Sequence, residues 1–201
     1  LGMPYVDAPG EGEAQAAFMA SRGDVWAANS RDYDTLLFGS PRLLRYLTVS
    51  GQEFLPSKGI SRPLKPELIE LSDFLSNHGI SREQFVDLAI AVGTDFNDGI
   101  RGIGPKTALK LVKRHGSLEH FPHNLKEKLP QDLETLRNIF LHPKVRLDYS
   151  TLQQPMNVDA LFKFLCDERG FAEERVKIAI ERMRKISERK PTSDIAQWLD
   201  K

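Results

Sequence analysis

Hydrophobic spacing changes character part-way along the chain. Tyr5-Val6 is a short apolar strand by pattern, followed by Asp7-Ala8-Pro9-Gly10, whose Asp, Pro and Gly mark a turn. From Glu13 to Arg22 an alanine-rich stretch predicts a helix, and Gly23 stops it. Asp24-Val25-Trp26-Ala27-Ala28-Asn29 predicts a buried strand. A polar loop, an apolar segment to Phe38 and the turn Gly39-Ser40-Pro41 lead to a second strand, Leu43-Leu44-Arg45-Tyr46-Leu47-Thr48-Val49. This strand–helix–strand alternation predicts an α/β fold with a parallel sheet flanked by helices. Residues 50–66, rich in Ser, Gly, Lys and Pro, predict a loop. After Pro66 helical spacing dominates, with Leu68, Leu71 and Leu75, then Phe85, Leu88, Ala89 and Val92. Three further amphipathic helices are expected near 131–141, 157–168 and 172–188. The expected division is an α/β region over 1–65, a helical region over 66–190 and a tail over 191–201.

Composition adds bounds. With 201 residues, 40% of them hydrophobic, the chain has enough apolar material for a real core. The formal net charge is zero, which excludes attraction to nucleic acid by overall charge. The zero conceals a segregation: residues 1–34 carry six acids against two bases, whereas residues 99–116 carry five bases and no acid. An acidic pocket beside a basic stretch suits metal-dependent chemistry on phosphodiesters. Cys166 is the single cysteine, so disulfides and thiolate metal sites are excluded, and its apolar neighbours predict a buried packing thiol. No apolar run has membrane-span length and no signal-peptide pattern opens the chain, so a soluble intracellular protein is expected. Leu1-Gly2-Met3-Pro4 reads as an entry from a longer polypeptide.

Four constellations carry chemistry. Glu11 and Glu13 flank the start of the first helix, where they either complement the helix dipole or point into a shared site. Asp32 and Asp34 follow the strand expected over 24–29, at the sheet end where ligands of parallel α/β folds bind. Their spacing turns two carboxylates to one side, which a divalent cation stabilises; an Asp-rich helix cap is the plainer reading. Asp95 stands in Gly93-Thr94-Asp95-Phe96-Asn97-Asp98, after a helix C-terminus that disfavours an acid without a cation nearby. The most specific is Gly99-Ile100-Arg101-Gly102-Ile103-Gly104-Pro105-Lys106-Thr107-Ala108. Gly102 and Gly104 permit close backbone approach to a phosphate, and Pro105 fits the first turn of a helix whose N-terminus favours anions. With Lys106 and Lys110 one turn apart, this is a helix–hairpin–helix element gripping the nucleic-acid backbone without reading bases.

Taken in order, these stretches resemble the flap endonucleases of archaea and eukaryotes. The resemblance rests on Ala8-Pro9-Gly10-Glu11-Gly12-Glu13-Ala14-Gln15-Ala16, Ser30 to Gly39, Gly93 to Ala108, Phe162 to Glu168 and Glu173 to Val176, and so covers nearly the whole chain. It implies a core of the 5′-nuclease (PIN-like) kind, acting on branched double-stranded DNA with a 5′ flap in replication and repair. It also implies two Mg2+ ions, with Glu11 and Glu13 serving the first and Asp32, Asp34 and Asp95 the second. Gly99, Arg101, Gly102, Gly104, Lys106 and Lys110 would bind DNA, and a potassium ion can sit in the hairpin on backbone carbonyls. A hydroxyl that sometimes assists that ion stands where this chain has Gly99. The family's N-terminal nuclease region, with further aspartates and a helical arch, precedes Leu1, so the chain alone is expected to be inactive or impaired. At the tail, Ile195, Trp198 and Leu199 fall at the offsets of a sliding-clamp-binding peptide, with Thr192 where the family has Gln. The compartment implied is the cytoplasm in an archaeon and the nucleus in a eukaryote. A non-catalytic DNA-binding module, and a related nuclease for bubbles or four-way junctions, are the alternatives.

Overall fold

A computed structural model describes residues 1–47 and 51–187. The elements run α1 (Gly12–Ser21), β1 (Ala28–Asn29), α2 (Asp34–Leu37), β2 (Arg42–Arg45), β3 (Gln52–Leu55), β4 (Ile60–Pro63), β5 (Glu67–Glu70), α3 (Leu71–His78), α4 (Arg82–Val92), α5 (Pro105–His115), a 3-10 turn (Leu118–His120), α6 (His123–Lys126), α7 (Leu133–Leu141), α8 (Val158–Phe162), a π-helical turn (Lys163–Glu168) and α9 (Glu173–Ser187). They form two compact units, one of Asp7–Leu147 and one of Leu1–Val6 with the segment from Asp148 onward. The expected composition-based division, sheet first and helix later, runs along the chain and is a different partition from these units.

In the larger unit β2 is the central strand. Leu43 and Leu44 point to opposite faces and both are buried, so the sheet is covered on its two sides there. β1 pairs with β2 in parallel, Ala28 opposite Leu43, and β5 pairs on the other edge antiparallel, Ile69 opposite Leu43. The α/β class is as expected, and β5 makes the sheet mixed. Helix α1 approaches closely because its inward positions are Ala14, Ala17 and Ala20. Gln15, also buried, exchanges hydrogen bonds with the backbone of Arg146, at 3.1 Å to its carbonyl and 2.7 Å from its N–H. Around this, Val86, Ile90, Ile100, Ala108, Val112, Leu118 and Phe140 form one core with the sheet.

Helix α4 is the best-specified element. Ser81 and Gln84 form a reciprocal capping box at its N-terminus, and Gly93 ends it at a φ of 116°. Midway, the buried Asp87 accepts from Arg137 Nε at 2.6 Å and Nη2 at 2.9 Å, and from the Leu118 N–H at 3.1 Å. Arg137 also pairs with Glu119, so one guanidinium ties α4 to the 3-10 turn and α7. Arg82 donates to the carbonyls of Leu37 (3.2 Å) and Phe140 (3.0 Å), joining the ends of α2 and α7. In the smaller unit the Gln154 N–H donates to the Gly2 carbonyl at 2.8 Å, and α9 buries Val176 and Ile180 one turn apart.

Several local expectations differ. Tyr5 is 83% exposed and its segment is not a strand. The strand over 24–29 shortens to β1, and β2 stops at Arg45 because Tyr46 adopts a φ of 60°, outside extended geometry. Thr48 and Val49, expected to continue that strand, lie outside the described residues. Residues 50–66 hold the hairpin β3–β4, turned at Gly59 and supported by an Arg62–Glu53 ion pair at 2.6 Å. Neither strand buries a full face, so no apolar alternation announced it. Leu68 lies in β5 instead of a helix. Cys166 is half-buried, short of the buried packing position expected. Ile195, Trp198 and Leu199 lie outside the described residues. Among the described residues no helix is long and apolar enough to cross a membrane.

Removing Arg137 would strand Asp87 as an uncompensated buried charge. Arg137→Ala should therefore destabilise the protein by about 3–5 kcal/mol in urea unfolding. Hydrogen bonds from Arg137 hold the Glu119 carboxyl down to about 2, below its ordinary value of 4.5. Its stabilising contribution is present above pH 4.5 and fades as pH falls from there towards 2. Glu119→Gln should flatten that part of the stability profile.

Candidate active site

Three stretches far apart in sequence line one cavity of about 120 Å³: Glu11 and Glu13, Asp32 and Asp34, and Asp95, with Phe38 and Phe96 beside them. Glu11 is the residue preceding α1 and Glu13 lies in its first turn, so their positions follow from where the alanine-rich helix begins. Asp34 opens α2, whose Thr35, Leu36 and Leu37 are buried and anchor it.

Short polar side chains shape the loop between. The Ser30 hydroxyl donates to Glu13 Oε1 at 3.3 Å and accepts from the Asp32 N–H at 3.1 Å. The Asp34 N–H donates to Asp32 Oδ1 at 3.3 Å, and the Thr35 hydroxyl donates to the Asp32 carbonyl at 3.2 Å. These are side-chain turns of the kind Ser and Asp favour. Asp95 is carried on a tight turn after α4. Thr94 and Asn97 exchange backbone hydrogen bonds at 2.9 and 3.1 Å, and the Thr94 hydroxyl donates to Asn97 Oδ1 at 2.8 Å. Asn97 Nδ2 in turn donates to the Ile90 carbonyl at 2.8 Å, fastening the turn to the helix. Phe96 meets Phe140 edge-on at 5.6 Å, and Phe38 lies 5.3 Å from the same ring.

The electrostatics register the gathering. Burial pushes the Asp34 carboxyl up to about 6, and repulsion from Asp32, Asp95, Glu13 and Glu11 adds to it. All five expected acids therefore act on one field. Among the described residues, no three or more His, Cys, Asp or Glu side chains are drawn tightly enough as placed to hold an ion. Anions around an ion-free cavity repel one another, and hard carboxylate oxygens are the donor set that suits a hard divalent cation. A larger, mostly apolar cavity of about 340 Å³ abuts this one and shares Glu11, Phe38 and Phe96.

The Gly-rich segment joins α4 to α5. Ile100 is buried and its N–H donates to the Ala91 carbonyl at 2.8 Å, pinning the hairpin to α4. Gly99 (φ 70°) and Gly102 (φ 87°) make the bends. Helix α5 starts at Pro105 with no side-chain cap, and the Thr107 and Ala108 N–H groups both donate to the Gly104 carbonyl at 3.0 Å. Arg101, Gly102, Gly104, Lys106 and Lys110 are exposed, while Ala108 and Val112 face the core. At Gly99 a Cβ would come within 2.3 Å of the Val92 carbonyl, so the hydroxyl side chain that the resemblance places there has no room in this chain.

Residues 2–95 match the XPG I-region family model. The flap endonuclease 1 of Methanothrix thermoacetophila is 47% identical over 199 residues, which cover 99% of this chain and 59% of that protein. The Pyrococcus horikoshii enzyme of the same name is 44% identical, over 100% of this chain and 58% of its own. The solved flap endonuclease-1 from Methanococcus jannaschii superposes with a TM-score of 0.74 at 40% identity, over 90% of this chain and 52% of that one. Over nearly its whole length the chain is similar to flap endonucleases. It spans just over half the length of these relatives. The Rad2 catalytic core in complex with DNA substrate shares the fold, with a TM-score of 0.68 at 22% identity over 87% of this chain and 63% of that one.

Sequence reasoning missed the residues that support the acidic cavity. Ser30 stands two residues before Asp32, a spacing that signals a side-chain turn. Thr94 and Asn97 bracket Asp95 in the same way.

Two outcomes follow. A carboxyl raised to about 6 contributes stability present below its ordinary 3.8 and lost as pH rises through 6. Asp34→Asn should thus stabilise the metal-free protein at pH 8 by on the order of 1 kcal/mol, allowing for solvent screening, and by little at pH 4. Gly99→Ser should destabilise by more than about 2 kcal/mol, since both φ and space oppose it. Thermal melts of the two variants check both.

Proposed function

We propose that this chain contributes to a structure-specific 5′ flap endonuclease, cutting branched double-stranded DNA by two-metal phosphodiester hydrolysis. The observation that carries the reading is the convergence of Glu11, Glu13, Asp32, Asp34 and Asp95 on one cavity, where burial first and the other four carboxylates second raise Asp34 to about 6. Glu11 and Glu13 would hold one Mg2+ ion and Asp32, Asp34 and Asp95 the other. When bound, the ions supply charge stabilisation at the phosphate and a water ionised near neutral pH. A junction-resolving relative, GEN1, is described with product DNA and Mg2+.

The hairpin's part is positioning. Exposed Arg101, Lys106 and Lys110, with the backbone at Gly99, Gly102 and Gly104, would hold duplex phosphates in a sequence-independent way. A potassium ion there would rest on backbone carbonyls alone, as Gly99 brings no hydroxyl. The tail residues Ile195, Trp198 and Leu199 would bind a sliding clamp, a reading supported by their spacing. A non-catalytic DNA-binding module is the second reading, favoured by the spread of the carboxylates as placed.

Calorimetric Mg2+ titration separates the two. Asp34→Asn should abolish carboxylate-dependent binding and leave duplex affinity as it was. Lys106→Ala should do the reverse, weakening duplex binding uniformly across sequences and reducing its salt slope by about one. Absence of any Asp34-dependent Mg2+ heat would favour the module. Trp198→Ala should lose capture by clamp protein.

A further inference from the structure

Arg45 does not line the acidic cavity, yet its partners flank Asp32 in sequence. Arg45 comes from the end of β2 and its side chain is only 9% exposed. Its Nε and Nη2 donate to the Arg31 carbonyl at 3.2 and 3.1 Å. Nη1 donates to the Tyr33 hydroxyl and to Glu67 Oε2, the latter at 3.1 Å, while Nη2 also reaches the Tyr46 hydroxyl at 2.8 Å. The guanidinium carbon lies 3.9 Å from the Tyr33 ring centroid and 4.5 Å from that of Tyr46. Arg31 immediately precedes Asp32, and Tyr33 separates Asp32 from Asp34. One buried cation thus holds the main chain on one side of Asp32 and the side chain on the other.

Its neighbour reinforces the arrangement. Tyr46 sits at a φ of 60°, a conformation that bulky residues adopt only when the surroundings impose it. That backbone places its hydroxyl on Arg45, so the strain and the guanidinium contact come together.

We propose that Arg45 is a positioning residue for Asp32 and Asp34, fixing the loop from which both carboxylates project; this rests on the metal-site reading above. It acts by shape. A guanidinium is planar, with several donors in a fixed fork, so it can grip a carbonyl, two hydroxyls and a carboxylate while stacking on an aromatic ring. A lysine ammonium at that position keeps the charge and loses the fork. The Glu67 ion pair is separable, since Glu67 is half exposed and comes from β5 and not from the loop.

The test compares the intact chain with Arg45→Lys, Glu67→Gln and Tyr33→Phe, by hydrogen–deuterium exchange and by Mn2+ binding followed with electron paramagnetic resonance. Arg45→Lys should speed exchange across residues 31–35 at least tenfold and leave protection in α4 and α5 unchanged. Mn2+ affinity should fall about 10- to 100-fold, the range for residues that orient metal ligands. Glu67→Gln should do neither. Tyr33→Phe, which deletes a single hydroxyl acceptor, should shift both readouts in the same direction by less, and it decides the matter if Arg45→Lys does not fold. Wild-type exchange at 31–35, or undiminished Mn2+ affinity, in a folded Arg45→Lys protein would overturn the proposal. If wild type itself shows no Asp34-dependent Mn2+ binding, the metal-site reading fails, and exchange over 31–35 then decides whether Arg45 positions the loop.

Discussion

Carboxylates that share a cavity push one another apart, and the fold around Asp34 is organised against that push. Its carboxyl is half-buried and faces four others. The groups that set the loop are mostly neutral: Ser30 and Thr35 around Asp32, and Thr94 with Asn97 under Asp95. The nearby cation, Arg45, binds the Arg31 carbonyl and two tyrosine hydroxyls in place of the carboxylates. The residues lining the cavity include no lysine or arginine. The negative field is therefore held in shape and left uncancelled, which is the condition for a site that takes a cation from solution.

Helix α4 connects this site to the hairpin. Its N-terminus is locked by the Ser81–Gln84 box and its middle by Asp87 on Arg137. The helix then delivers the Asp95 turn through Gly93, and its last turn receives the hairpin through the Ala91 carbonyl. Gly99 packs so closely on Val92 that a Cβ there would meet the Val92 carbonyl at 2.3 Å. One helix shared by the Gly-rich segment and the acidic cavity sets the spacing between them, and under the proposed function that spacing is what positioning catalysis needs.

How much of this was legible in the sequence follows the range of each signal. The helices over 12–21, 82–92 and 105–115 were readable because alanine runs, capping residues, Pro and Gly act locally. The acids were readable as pairs, but that Asp95 meets the other four depends on how α4 packs against the sheet, which no local pattern encodes. The hairpin over 52–63 was missed because it hides no full face, and β5 because Leu68, Leu71 and Leu75 keep helical spacing across a strand–helix junction. Arg45 needed the tertiary structure outright: its partners come from the loop before α2, from its own neighbour and from β5.

Paired and unpaired acids in the same unit separate structural from functional charge. Asp87 and Glu119 each meet Arg137, and Glu119 is drawn down to about 2. Asp34 meets burial and four like charges, and is driven up to about 6. Perturbation alone would not distinguish the two, since ion-pair networks built for stability perturb carboxyls as strongly as active sites do. Direction does. A lowered carboxyl has already found its cation inside the fold and returns stability for it. A raised one opposes folding at neutral pH, so Asp34 is a cost to the fold, and the proposed metal site is a reading under which a cation arriving from outside would offset it.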